Sequence, residues 1–229
     1  MSDFQPIFFS ALTGFISGLL LSIPVGPVNL TIINEGARRG FNWALLIGLG
    51  AVTMELIYCT IAFTGFTSFF GIRIVKTSME VFTFVFMLYL GIKFISAKTV
   101  IAPTQLGATA SRIERRIDEK LHPHSAFMIG FVRVLGNLGV LLFWIVLAGH
   151  FVSRDWVENT LGGKSACIGG VAVGGGLWFF VLSYMSSRGH GQWSQKTLLR
   201  MEHFSGICLL TLGLIDGLII AWHLAKHKF

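Results

Sequence analysis

Long apolar stretches alternate with short polar links along the whole chain. Six stretches reach about the 20 residues that an α-helix needs to cross the hydrocarbon core of a bilayer. They cover roughly 7–33, 41–66, 79–97, 125–152, 165–187 and 204–225. The pattern therefore predicts an all-α polytopic membrane protein with six transmembrane helices.

The most strongly charged link, 98–123, separates two groups of three stretches. We predict a single membrane domain over 1–229, made of a first repeat at 1–97, this polar link, and a second repeat at 124–229. An odd number of crossings in each repeat places the second repeat upside down relative to the first. Inverted repeats of this kind are typical of secondary transporters.

Short sequence echoes support the two repeats. Leu88-Tyr-Leu-Gly91 in the third stretch resembles Leu210-Thr-Leu-Gly213 in the sixth. Asn29-Leu30 in the first stretch matches Asn137-Leu138 in the fourth, again within apolar surroundings.

Composition agrees with a membrane protein and excludes several other classes. Only 13% of the residues are charged, 53% are hydrophobic, and the mean hydropathy is +0.71. Soluble domains carry about 25% charged residues. A disordered chain would need more charge, and a disulfide scaffold would need far more than three cysteines.

The net charge of +7 is spread over short links and forms no basic stripe, so we expect no nucleic-acid binding. The Lys and Arg residues instead indicate orientation, because cytoplasmic loops are enriched in them. The odd-numbered links hold ten of these residues, and the opposite links with the tail hold six. This bias predicts both termini outside. The uncharged first stretch is too long for a removable signal peptide, so we expect it to remain as a span.

The first stretch contains a predicted helix break at Pro24-Val-Gly26-Pro27, followed by Asn29. Each proline removes a backbone donor, and the glycine between them relaxes the chain. Unpaired carbonyls at membrane depth are tolerated where they line a cavity. Pro24, Gly26, Pro27 and Asn29 are therefore candidate substrate-binding residues, with Asn137 as their counterpart in the second repeat. The alternative is a purely structural kink.

Three ionisable residues lie inside predicted spans: Glu55 in the second, Arg133 in the fourth and Asp216 in the sixth. A charge at the bilayer centre costs about 2.5–3.5 kcal/mol or more, so each is a candidate functional residue. We predict that Glu55 and Asp216 serve in proton coupling and that Arg133 serves in substrate binding. Structural alternatives are an interhelical hydrogen bond for Glu55 and a fixed Asp216–Arg133 bridge.

Other motifs add little chemistry. Gly14-x-x-x-Gly18 and Gly170-x-x-x-Gly174 predict close approach of helix backbones. His223 and His227 have a metal-ligand spacing but no third ligand beside them, so we predict no metal site. Phosphate-loop and hydrolase motifs are missing from the sequence, so we predict neither a cofactor nor an enzyme.

Several of these motifs together resemble the lysine-exporter (LysE/RhtB-type) translocators. The similar segments are Pro24-Val-Gly-Pro-Val-Asn29, Gly36-Ala-Arg-Arg-Gly40, Gly48-x-Gly50 with Glu55, Leu88-Tyr-Leu-Gly91, Gly130-Phe131, and Asn137 with Phe143-Trp144. Departures are Leu138, where that family has proline, and the charges of Arg133 and Asp216. The resemblance implies an exporter of amino acids in the bacterial inner membrane, driven by an ion gradient.

We therefore expect a secondary exporter of an amino-acid-like solute in which the two helix breaks meet near the midplane. Glu55 would exchange a proton, and Arg133 or Asp216 would offer a charge to the solute. Two alternatives stay open at this point: an exporter of divalent cations, and a membrane scaffold subunit that carries no flux. The sequence is also compatible with a homodimer.

Overall fold

The computed structural model describes residues 4–65, 73–98, 125–188 and 193–226, which form eight α-helices and no β-strand. The all-α prediction is thus confirmed for this part of the chain. The helices are α1 (Phe4–Ser22), α2 (Pro27–Arg39), α3 (Phe41–Gly65), α4 (Arg73–Ile95), α5 (Ala126–Leu135), α6 (Leu138–Ser153), α7 (Leu161–Arg188) and α8 (Gln195–Lys226).

Four of these helices contain segments that are long and apolar enough to cross a membrane by themselves. The segments are Gln5–Ser22, Phe41–Gly65, Leu161–Arg188 and Lys196–Ile215. The pair α5 and α6 would supply a further, broken span, since its two helices meet at an angle of 67°. Phe84–Ile95 in α4 is a shorter apolar helix. These helices make the chain a multi-pass membrane protein.

Three helices begin earlier than the apolar stretches predicted. α4 starts at Arg73, α7 at Leu161 and α8 at Gln195, whereas the expected spans began at 79, 165 and 204. The added turns contain Lys or Arg residues, which the apolar pattern leaves out although the backbone there is helical. The apolar stretches therefore predicted the membrane-spanning part of each helix but not its full length.

Glycines determine how the helices cross. A Cβ atom on Gly14 would overlap the Cys167 carbonyl, and one on Gly170 would overlap the Ala11 carbonyl, so α1 and α7 touch backbone to backbone. The close approach predicted from the Gly-x-x-x-Gly pairs is thereby confirmed. The same kind of crossing joins α3 to α5, where Gly50 faces Phe127 and Gly130 faces Ile47.

A third close crossing joins α4 to α8. Gly91 lies against Leu210 and the Gly206 carbonyl, and Gly206 lies against Ile95. Each of the three crossings therefore pairs a helix of the first predicted repeat with a helix of the second.

The apolar core lies along α3, α6 and α7, where Ile47, Phe63, Trp144 and Val171 are fully buried. Large apolar side chains are exposed on the opposite side of α7 and on α8, for example Val173, Leu218 and Trp222. In a membrane these exposed side chains would face acyl chains.

Parts of the sequence analysis fall on residues outside the described ranges. They are the polar link from Thr99 to its end at 123, together with His227. The side chain of His223 is also outside the described part.

Candidate functional site

The predicted break in the first span is present. α1 ends at Ser22 and α2 begins at Pro27, and the intervening residues are not helical. The Gly26 N–H donates to the Pro24 carbonyl at 2.9 Å, and the first bond of the next helix runs from the Leu30 N–H to the Gly26 carbonyl at 3.1 Å. Two prolines prevent the helical bonds that would bridge the gap.

Asn29 holds this break together. Its side-chain amide nitrogen donates to the carbonyl oxygens of Ser22 at 2.8 Å and Pro24 at 2.7 Å. Its side-chain oxygen accepts the indole N–H of Trp178 at 3.4 Å, and the residue is only 3% exposed. Asn29 thus satisfies backbone carbonyls that the end of α1 leaves unpaired. Direct contact of this amide with a solute stays a prediction.

The N-terminus of α2 has no side-chain cap. Gly26 occupies the capping position with φ −103° and ψ −175°, a conformation open to any residue. A Cβ added there would meet nothing within 4 Å. Neither backbone conformation nor lack of space therefore demands glycine. Its effect is to leave the first N–H groups of α2 accessible.

The second break has a related geometry. α5 ends at Leu135, α6 begins at Leu138, and Asn137 occupies the capping position without a side-chain cap bond. Tyr58 from α3 donates its hydroxyl hydrogen to the Leu135 carbonyl at 2.8 Å. The Asn137 side chain is exposed and has no hydrogen-bond partner among the described residues. The end of α5 is thus held by a side chain of another helix, while the Asn137 side chain stays accessible.

Both breaks open onto one cavity of about 400 Å³. Its polar lining comes from the first break, the second break, and two charged residues on other helices. These residues are Ser22, Pro24, Gly26, Pro27, Asn29, Asn137, Glu55 and Lys93. The N-termini of α2 and α6, both without side-chain caps, therefore face the same space.

Glu55 lies near the middle of α3, beside the end of α1. An added Cβ on Gly175 of α7 would lie 3.3 Å from the Ser22 hydroxyl oxygen and 3.7 Å from Oε2 of Glu55. Gly175 and the end of α1 therefore lie in contact range of the Glu55 carboxyl group. Trp144 of α6 is fully buried, and its indole nitrogen has no hydrogen-bond partner among the described residues.

Lys93 is a cavity-lining residue that the sequence analysis did not include. Its position near the end of an apolar stretch is also typical of a lysine whose side chain reaches toward lipid head groups. Helical spacing was the missed signal, because Phe86, Leu90 and Lys93 are separated by four and three residues and share one face of α4. Neither Lys93 nor Glu55 forms an ion pair within 4 Å among the described residues.

The remaining predicted site residues lie elsewhere or are not described. Arg133 is a half-buried residue of α5 and is not among those that line the cavity. Asp216 lies in α8, but its side chain is outside the described part of the chain. The roles of Arg133 and Asp216 therefore stay predictions.

Charged residues of α2 form two ion pairs near the surface of the bundle, and both share Glu35. Glu35 contacts Arg39 at 3.0 Å and Arg38 at 3.7 Å, all on α2. Arg39 also lies over the Trp43 ring at 4.6 Å. Such a cluster fits the boundary between a helix bundle and water.

Comparison with known proteins now identifies the family. The profile described as "LysE type translocator" matches residues 19–215, which include both breaks, Glu55 and Lys93. The chain belongs to the LysE type translocator family. The resemblance stated from the motifs is thereby confirmed.

A relative in Bacillus subtilis (strain 168) carries the name "Putative amino acid efflux protein YcgF". This translocator is 28% identical to it over 206 residues, which cover 90% of the present chain and 94% of the relative. No solved structure gives a significant match.

Proposed function

We propose that this translocator exports amino acids across the bacterial inner membrane in exchange for protons. The observation that carries the proposal is the convergence of two helix N-termini without side-chain caps and one carboxyl group in a single cavity. Family membership and the name of the Bacillus subtilis relative support the class of solute.

The solute carboxylate would bind at the helix N-termini. Each helix end carries a partial positive charge and N–H groups without helical partners, which together favour an anion. Discontinuous helices play this role in several transporter folds. The accessible amide of Asn137 would add a further donor at the second break. Lys93 strengthens the positive potential at this side of the cavity.

Glu55 would bind either the solute ammonium or a proton. Among the described residues that line the cavity it is the single carboxyl group, so in this proposal the two cations compete for it. Loading the solute on one side then requires release of the proton, and loading a proton on the other side releases the solute. In this arrangement the N-termini and Glu55 supply both countercharges, and additional charges from Arg133 or Asp216 are not required.

The predicted six-helix inverted-repeat architecture forms part of the proposal. If α1 and α2 make span one and α5 and α6 make span four, the α1–α7 crossing joins spans one and five. The α3–α5 crossing joins spans two and four, which is the equivalent pair under a two-fold exchange of the repeats. The α4–α8 crossing joins spans three and six and maps onto itself. This pairing supports two related halves.

Orientation with both termini outside and a homodimeric assembly are retained as predictions. An exporter of divalent cations is less well supported, because hard cations prefer several oxygen ligands together and the lining residues that the structure describes include one carboxyl group.

The proposed exchange can be tested in proteoliposomes that contain the purified protein and a labelled amino acid. We expect a pH gradient to drive flux in the parent and Glu55→Gln to abolish the pH dependence. Glu35→Gln is the matched control, since Glu35 is ion-paired at the surface and should leave flux within about twofold. Full pH-driven flux in Glu55→Gln would refute the proton role.

A further inference from the structure

We propose that the solute is a neutral amino acid with a bulky apolar side chain. This inference rests on the function proposed above and narrows it to one substrate class. It follows from what lines the cavity outside its polar residues.

The remaining wall is apolar and partly aromatic. Phe86 and Leu90 from α4, Val140 and Phe143 from α6, and Phe179 from α7 all line the cavity. The Phe86 and Phe143 rings are 5.7 Å apart between centroids and form a continuous surface between α4 and α6. A wall of this composition offers contact area to an apolar side chain and no hydrogen bonds to a polar one.

Glu55 and Lys93 are the charged side chains among the described lining residues, and their signs match those of one zwitterion. A basic solute side chain would bring a second cation to a lining whose described residues include one carboxyl group, Glu55. A buried charge without a partner is strongly disfavoured. Lysine and arginine should therefore bind much more weakly than leucine.

Acidic side chains are disfavoured for a related reason. Lys93 could in principle accept a second carboxylate, but it also interacts electrostatically with Glu202 of α8, which is not among the lining residues. A second carboxylate in the cavity would have to compete with Glu202 for this ammonium group. Aspartate and glutamate should therefore also bind weakly.

The size of the apolar preference follows from burial. Each additional buried methylene raises affinity about fourfold, so leucine should exceed alanine by on the order of tenfold or more. We expect leucine, methionine and phenylalanine to compete for labelled leucine in proteoliposome counterflow at concentrations at least tenfold below those needed for alanine. Lysine and aspartate should not compete over the same range.

The outcomes separate the two proposals. Competition by lysine or aspartate as strong as that by leucine would overturn the selectivity while leaving an amino-acid exporter in place. Absence of counterflow for every amino acid, from protein that is monodisperse by size exclusion, would overturn the proposed function itself.

A change at the apolar wall provides the sharper test. Leu90→Asp places a carboxylate where the solute side chain would lie, and we expect lysine to become a competitor at least tenfold stronger than in the parent. Leu90→Asn is the matched control, and should weaken leucine without admitting lysine. If Leu90→Asp does not yield folded protein, Val140→Thr serves instead and should narrow the preference for leucine over threonine. An unchanged preference in that variant would refute contact between wall and side chain.

Discussion

Gly26 offers a direct test of whether the open N-terminus of α2 serves the solute. Replacing it by serine supplies the cap that this helix lacks, since a serine hydroxyl can accept the N–H of Val28 or Asn29. The backbone at Gly26 already has an extended φ of −103°, and a Cβ there would meet no atom within 4 Å. Gly26→Ser should therefore fold without strain.

Gly26→Ser should raise the stability of the folded protein and weaken its transport of the solute. Loss of glycine flexibility in the unfolded chain stabilises by about 0.4–1 kcal/mol, and the serine cap adds a few tenths. A hydrogen bond to a charged group is worth about 1.5–3 kcal/mol, so a hydroxyl that occupies these N–H groups should raise the apparent KM about tenfold to hundredfold. Gly26→Ala has the same gain from the unfolded chain but is a poorer N-cap residue than glycine, so its stability should stay close to that of the parent.

The assay pairs the melting temperature in a mild detergent with counterflow in proteoliposomes. We expect Gly26→Ser to melt above the parent, Gly26→Ala to melt close to it, and only Gly26→Ser to show a large rise in KM. Equal KM values in Gly26→Ser and the parent would refute anion binding at this helix end. Equal increases in both variants would instead attribute the effect to steric filling of the cavity.

Two further predictions concern stability. Asn29→Asp removes the amide donor from the Ser22 and Pro24 carbonyls and should destabilise the protein by about 1–3 kcal/mol for each carbonyl left unpaired. Asn137→Asp changes an accessible side chain and should shift the melting temperature far less. Equal shifts in the two variants would contradict the stabilisation of the first break by Asn29. Gly170→Ala forces a methyl group against the α1 backbone and should cost about 1–3 kcal/mol. In the neighbouring Gly169→Ala the added Cβ meets no atom within 4 Å, so the melting temperature should hardly change, and a comparable loss there would contradict the close crossing.

Local chemistry made part of this site predictable. Two prolines around a glycine cannot continue a helix, so the break at Pro24–Pro27 followed from the sequence alone. The close crossing of α1 and α7 was also predictable, because small residues four positions apart leave a groove along one helix face. These residues are Gly14, Gly18, Gly170 and Gly174. The general helix pattern was also readable, since membrane crossing demands long apolar stretches.

Contacts between residues far apart in the chain could not be predicted from the sequence in the same way. Asn29 and Asn137 look equivalent in sequence, yet the first is engaged by the backbone of its own break and by Trp178, while the second is accessible. Tyr58 reaches the end of α5 across 77 residues of sequence, and no local pattern marks that contact. Lys93 belonged to a recognisable helix face, but its place in the cavity depends on how α4 packs against the rest of the bundle.

The proposed coupling depends on how few charged groups the cavity contains. Exchange by competition works when proton and ammonium must share one carboxyl group, because a cavity with two would hold both cations together and lose the link between them. Glu55 supplies the single carboxyl group among the described residues that line the cavity, and it lies beside Gly175 and the end of α1. The apolar wall then has two consequences: it favours an apolar side chain, and it provides no other site for a proton. Selectivity and coupling would thus have the same physical origin in this translocator.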